Sequence, residues 1–125
     1  MHSPLNLAIH ELVVLVPAGT AVSYGDVAEL LGAGGPRQVG RAMAGSEGED
    51  LPWWRVVRAD GSLPAELAVR ARPHWVSEST PVRGAGPDRV RFPDARWQPS
   101  AEDFARIDAL ADRLRPNDPC GGDRP

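Results

Sequence analysis

Lysine is missing from this chain: all 14 of its basic residues are arginine. With 13 glycines and 13 prolines the composition fits a GC-rich coding sequence. It also makes every fixed cation a planar, permanently charged group, better suited than an ammonium to hydrogen bonding and stacking among bases. Cysteine is nearly missing. The single Cys120 excludes an internal disulfide framework and a cysteine-rich zinc site. Long apolar runs are absent as well, since the longest, Leu12 to Pro17, is far too short to cross a bilayer. No basic segment leads into an apolar stretch at the N-terminus, so the sequence predicts no signal peptide and a soluble, cytoplasmic protein. Positive charge is not in excess either. Seventeen acidic residues against 14 basic ones give a net charge of −3, which excludes an overall basic nucleic-acid binder and leaves room only for a local basic face.

What is present suffices for one core. A chain of 125 residues with 42% hydrophobic content supports one ordinary domain and not two with separate cores. Leu5, Ile9, Leu12, Val13 and Val16 recur at helical spacing, and Pro17 with Gly19 ends that run. Ser23 followed by Asp26 is a helix start of the capping-box type. The helix it opens turns Val27, Leu30 and Leu31 inward and stops at Gly32. Pro36 suits the first position of the next helix, Pro36 to Ala44, and the two form a helix-turn-helix. Glu47, Glu49 and Asp50 belong to a polar loop. The aromatic and β-branched run Trp53 to Arg58 predicts a strand, with a turn at Asp60-Gly61. Ala65 to Val76 has helical composition that Pro73 is expected to kink or split. Thr80 to Arg83 and Arg89 to Phe92 predict a small hairpin. Ser100 with Asp103 repeats the capping pattern ahead of a stripe of Phe104, Ile107, Leu110, Ala111 and Leu114. The segment from Pro116 onward reads as disordered. The expected division is a domain over 1–98, a docked helix over 99–115 and a tail over 116–125.

Three blocks in order carry the chemistry. They are Val16-Pro17-Ala18-Gly19-Thr20 leading into Ser23-Tyr24-Gly25-Asp26-Val27-Ala28; Arg37-Gln38-Val39-Gly40-Arg41-Ala42-Met43; and Pro52-Trp53-Trp54-Arg55-Val56-Val57. Over Val16 to Val57, and more loosely to Trp97, the chain resembles the DNA-binding domain of the O6-alkylguanine-DNA alkyltransferases. In that family the third block reads Pro-Cys-His-Arg-Val, where the His deprotonates the Cys thiol through water and the resulting thiolate attacks the alkyl carbon. Here Trp53 and Trp54 hold those two positions. Indole is neither a nucleophile for this displacement nor a base at neutral pH, and Cys120 lies far along the chain, so the resemblance implies a non-enzymatic, alkyltransferase-like branch.

The resemblance implies roles residue by residue. Arg37 is the finger that enters the base stack, and Tyr24 presses on the flanking phosphate and lines the nucleotide pocket. Gln38, Gly40 and Arg41 lie on a helix that docks in the minor groove, where small residues permit close approach. Trp53, Trp54, Arg55 and Val56 belong to the lesion pocket, with the carbonyls of Trp53 and Val56 accepting from the guanine amino group. The implied ligand is double-stranded DNA carrying O6-alkylguanine, read by nucleotide flipping and flagged for nucleotide excision repair proteins, with the protein a monomer and no cofactor.

Plainer readings stand beside these. Trp53 and Trp54 also read as core residues of a strand, one of them facing inward; Tyr24 as a core cover; and Arg37, Arg41, Arg55 and Arg58 as solvated cations. His2, His10 and His74 have no metal-ligand spacing. The fold class expected is α+β and predominantly helical: a winged helix-turn-helix-like domain with a small β-element and an appended C-terminal helix. The rival function is a winged-helix transcription regulator that reads undamaged DNA by sequence, commonly as a dimer on paired half-sites.

Overall fold

Proline and glycine punctuate the chain into short helices, and the computed structural model describes them over residues 4–44, 51–83 and 89–114. Helix α1 (Pro4–Leu15) buries Ala8, Ile9, Leu12 and Val13, and Val16 just beyond it is fully buried. After the Pro17 turn, β1 (Val22–Ser23) leads directly into α2 (Tyr24–Leu31). Both halves of the expected capping box form. The Asp26 amide donates to Ser23 Oγ at 2.9 Å and the Ser23 amide to Asp26 Oδ2 at 3.1 Å. Gly32 closes the helix at φ 67°, a backbone conformation that a side chain would strain. Val27, Ala28 and Leu31 face inward, whereas Leu30 is only half-buried.

Helix α3 (Pro36–Ala44) packs on α2 and α1, burying Val39, Ala42 and Met43. The predicted strand over Trp53 to Arg58 is mostly not one. Residues Trp53–Arg55 form a single 3-10 turn, and only β2 (Val56–Val57) is extended, pairing in parallel with β1 in the register Val22 to Val56. Local turn bonds outweigh β-propensity here: the Arg55 amide donates to the Pro52 carbonyl and the Val56 amide to the Trp53 carbonyl. On its other side the β1 segment is flanked by the backbone of residues 95–97, with the Ala21 amide bonded to the Ala95 carbonyl and the Trp97 amide to the Ala21 carbonyl.

Pro73 does not split α4 (Ala65–Glu78). Pro73 and Val69, whose carbonyl loses its helical donor, both lie on the exposed face, where water can satisfy that oxygen. The two predicted hairpin arms meet at one antiparallel bridge, Val82 to Val90, and Phe92 instead begins the short helix α5 (Phe92–Ala95). Helix α6 (Ala101–Leu114) carries the second capping box, Ser100 with Asp103, and packs on α1 and α2. It buries Ile107 and Leu110 in the common core; Phe104, expected in that stripe, stays 44% exposed. The architecture is thus mostly helical around a two-stranded parallel sheet. No helix among the described residues is long and apolar enough to cross a membrane. Glu47, Glu49, Asp50, His2, Cys120 and the segment from Pro116 onward lie outside the described residues.

Candidate nucleic-acid interface and its cavity

The box that caps α2 fixes Tyr24 as the helix's first residue, beside α3. Its phenol is largely enclosed, and burial pushes its pKa above the ordinary tyrosine value against the opposing charge of Arg58, so it keeps its proton and remains a donor. On α3 the apolar residues turn inward, leaving Arg37, Gln38 and Arg41 exposed. Arg37 and Arg41 are one helical turn apart and share a face. Gln38 folds toward the Gly34-Gly35 turn. Gly40 backs onto the Tyr24 ring, where a Cβ would sit 3.9 Å from the ring carbons, so contact with Tyr24 does not by itself demand glycine.

Between these two helices and the segment after β2 lies a cavity of about 210 Å³. Tyr24, Gly40 and Met43 form one side; Trp53, Leu63 and Leu67 form the other, and Arg58 stands among its lining residues. The 3-10 turn sets how the two indoles diverge. Trp53, 9% exposed, lines the cavity, with the Arg70 guanidinium 5.7 Å from its ring centroid. Trp54 turns toward α4 and stacks face to face on His74, with centroids 3.6 Å apart and planes 8° from parallel. Trp53 meets both rings edge-on, at 5.7 Å and 6.0 Å.

Behind that stack, Glu78 gathers four donors. Its carboxylate accepts from Trp54 Nε1 at 3.0 Å, from Arg55 Nε at 3.0 Å, from Arg55 Nη2, and from the Gly19 amide at 3.3 Å. Arg55 Nη1 also donates to the Val16 carbonyl at 2.8 Å, and Trp75 Nε1 donates to the Trp54 carbonyl at 2.9 Å. Burial works to raise the Glu78 pKa. The bonds from Arg55, Trp54 and Gly19, with the Arg55 charge, outweigh it and hold the carboxyl below its ordinary value.

Of the residues the sequence assigns to the lesion pocket, Tyr24 and Trp53 line the cavity and Trp54, Arg55 and Val56 do not. Trp54 and Arg55 are committed to Glu78, and the Val56 side chain is fully buried in β2. The Trp53 carbonyl already accepts the Val56 amide, leaving one lone pair. Sequence reasoning quoted Met43 within the second block without a pocket role, and it missed Leu63, Leu67 and Glu78. They are brought in by packing from distant elements and carry no local signal; Arg58 was noted only as one arginine among several. His10 Nε2 lies 3.4 Å from the Ala42 carbonyl, and no group of three or more His, Cys, Asp or Glu among the described residues is placed to hold a metal ion.

Residues 4–78 match the family model described as 6-O-methylguanine DNA methyltransferase, DNA binding domain. The chain is 38% identical over 95 residues to a DNA base-flipping protein of Escherichia coli, covering 71% of this chain and 70% of that one. A DNA base-flipping protein of Vibrio parahaemolyticus is 32% identical over 88 residues, covering 67% and 86%. Among solved structures, S. pombe Atl1 in complex with damaged DNA containing O6-carboxymethylguanine shares the fold at a TM-score of 0.69 and 24% identity, covering 79% of this chain and all of that one. A second structure, S. pombe ATL in complex with DNA, gives the same TM-score at 23% identity.

Proposed function

The chain belongs to the family of the 6-O-methylguanine DNA methyltransferase DNA-binding domain, and on that premise we propose that it binds O6-alkylguanine in duplex DNA and leaves the alkyl group in place. The observation that carries this reading is the cavity walled by Trp53 and Tyr24 beside the exposed Arg37–Arg41 face of α3. An alkylated oxygen inside a duplex is reached only by rotating the nucleotide out, which costs a few kcal/mol. Helix α3 docks in the minor groove, and Arg37 fills the vacated stack and bonds the orphaned base. The protonated Tyr24 phenol donates to the neighbouring phosphate. Stacking an extruded base on an indole returns roughly 1–3 kcal/mol. Leu63 and Leu67 supply an apolar wall, worth about 0.8 kcal/mol for each methylene of the adduct it covers. Trp53 stands where an acceptor thiolate would be required and supplies none. The extruded lesion is then read by nucleotide excision repair proteins. The named activity of the base-flipping relatives and the damaged-DNA complex of the yeast neighbour support this reading.

Titration of one duplex with and without O6-alkylguanine, at a single fixed salt concentration, tests it, because phosphate contacts vary steeply with salt. Tighter binding of the damaged duplex with quenched tryptophan emission, and an unchanged intact mass of the protein afterwards, is the expected result. Equal affinity for the two duplexes overturns lesion recognition and favours a sequence-reading regulator. A mass gain equal to the alkyl group overturns the non-enzymatic half.

A further inference from the structure

Next to the nucleotide cavity opens a larger cleft of about 490 Å³, whose lining includes Asp60, Arg83, Arg91 and Phe92. Arg58 lines the cavity and Ala59 the cleft, so the two depressions are joined through consecutive residues. The cleft is firmly framed. The Gly61 amide donates to the Arg58 carbonyl at 2.8 Å, and the Val90 amide to the Gly61 carbonyl at 2.8 Å. Gly61 has φ 87°, and a Cβ there would fall 2.1 Å from the Val90 carbonyl oxygen, so only glycine lets the turn approach the Val82–Val90 bridge this closely.

Four guanidinium groups surround this frame: Arg58, Arg83, Arg89 and Arg91. Among the described residues, two carboxylates face them. Asp60 Oδ1 accepts from the Ser62 hydroxyl and amide, and its Oδ2 lies 3.6 Å from Arg89. Those Ser62 bonds, ahead of the nearby arginines, hold Asp60 below its ordinary pKa, so it is a turn-forming anion already matched by Arg89. Arg91 pairs with Asp94 at 3.0 Å through an exposed contact, the kind that contributes little and exchanges readily. Arg58 and Arg83 are exposed and have no ion pair among the described residues. On the α6 surface the balance is reversed: Glu102, Asp103, Asp108 and Asp112 outnumber Arg106 and Arg113.

We propose that this cleft is a second DNA contact, in which Arg83 and Arg91 seat the phosphodiester backbone flanking the extruded nucleotide, with Arg58 at the edge of the neighbouring cavity. A chain of net charge −3 needs a local cationic track to hold a duplex at all. Arg37 and Arg41 supply one end of it and the cleft supplies the other, with the cavity between them. The proposal rests on the DNA-binding reading for its ligand, but its experiment does not depend on the lesion.

Affinities of the full chain for an undamaged and an O6-alkylguanine duplex, measured over a series of salt concentrations, give the slope of log K against log salt. Each phosphate contact contributes about 0.9 to that slope. The Arg83→Ala, Arg91→Ala double variant is expected to lose about 1.8 in slope on both duplexes, with the damaged-to-undamaged ratio unchanged. Arg83→Lys retains the slope, since a phosphate is also held by a point charge, and Arg106→Ala on α6 leaves it unaltered. An unchanged slope in a folded double variant overturns the proposal. A wild-type protein that binds both duplexes equally defeats the lesion reading alone, because the slope still reports on the cleft.

Discussion

Trp53 and Trp54 are neighbours in sequence and sit in opposite kinds of surroundings. On the Trp53 side the ring faces a cavity that Tyr24 and Arg58 also line. On the Trp54 side the groups are spoken for: its indole N–H, the Arg55 fork and the Gly19 amide all converge on Glu78, and His74 covers the ring. The contrast sets a saturated side, its donors converging on one carboxylate, against an unsaturated side where polar groups line a cavity. Two consecutive indoles thus serve two different surroundings.

The largest effect should come from the saturated side. Glu78→Ala leaves the Arg55 guanidinium, only 16% exposed, without its carboxylate, and should lower stability by about 3 kcal/mol, as breaking a mostly buried pair does. Chemical denaturation measures that loss, and the folded variant should keep its damaged-to-undamaged binding ratio. A collapsed ratio with intact stability would erase the division between the two sides. The same carboxyl sets a pH dependence. Because its folded pKa lies below the ordinary value, its contribution is complete above the normal carboxylate range and disappears as pH falls through the folded value. Glu78→Gln should therefore flatten the acid limb of stability against pH.

Trp53→Ala tests the unsaturated side. Removing the stacking wall should reduce the preference for the damaged duplex by roughly 1–3 kcal/mol, about 5- to 150-fold. Paired equilibrium titrations read this directly, and an undiminished preference would remove Trp53 from the pocket. The smallest effect is expected from His74→Ala, which strips one face of Trp54. It should cost about 0.5–1.5 kcal/mol of stability, visible as a modest fall in denaturation midpoint, with binding to undamaged DNA unaltered.

Local chemistry made much of the fold legible. Ser23 with Asp26 and Ser100 with Asp103 mark helix starts through bonds that span three residues, and Gly32 and Pro36 mark a helix end and a helix start through their own backbone geometry, so the residue types suffice to read them. Misreadings occurred where a short-range preference met a competing contact. β-Propensity at Trp53 and Trp54 yielded to the turn following Pro52, Pro73 was tolerated on a solvent-facing helix surface, and the α6 stripe turned Phe104 outward. The cavity lining was legible in part, through Tyr24 and Trp53, while Leu63 and Leu67 were not, nor was the Glu78 cluster behind it.

By itself the sequence determined the capped helices and the three blocks that carry the family resemblance, because each is a property of residue type at fixed spacing. Only the tertiary structure decided which indole faces the cavity and which is bound to a carboxylate 24 residues away. Side-chain direction there depends on the path the backbone takes and on partners from other elements. No local pattern encodes either until the chain has packed.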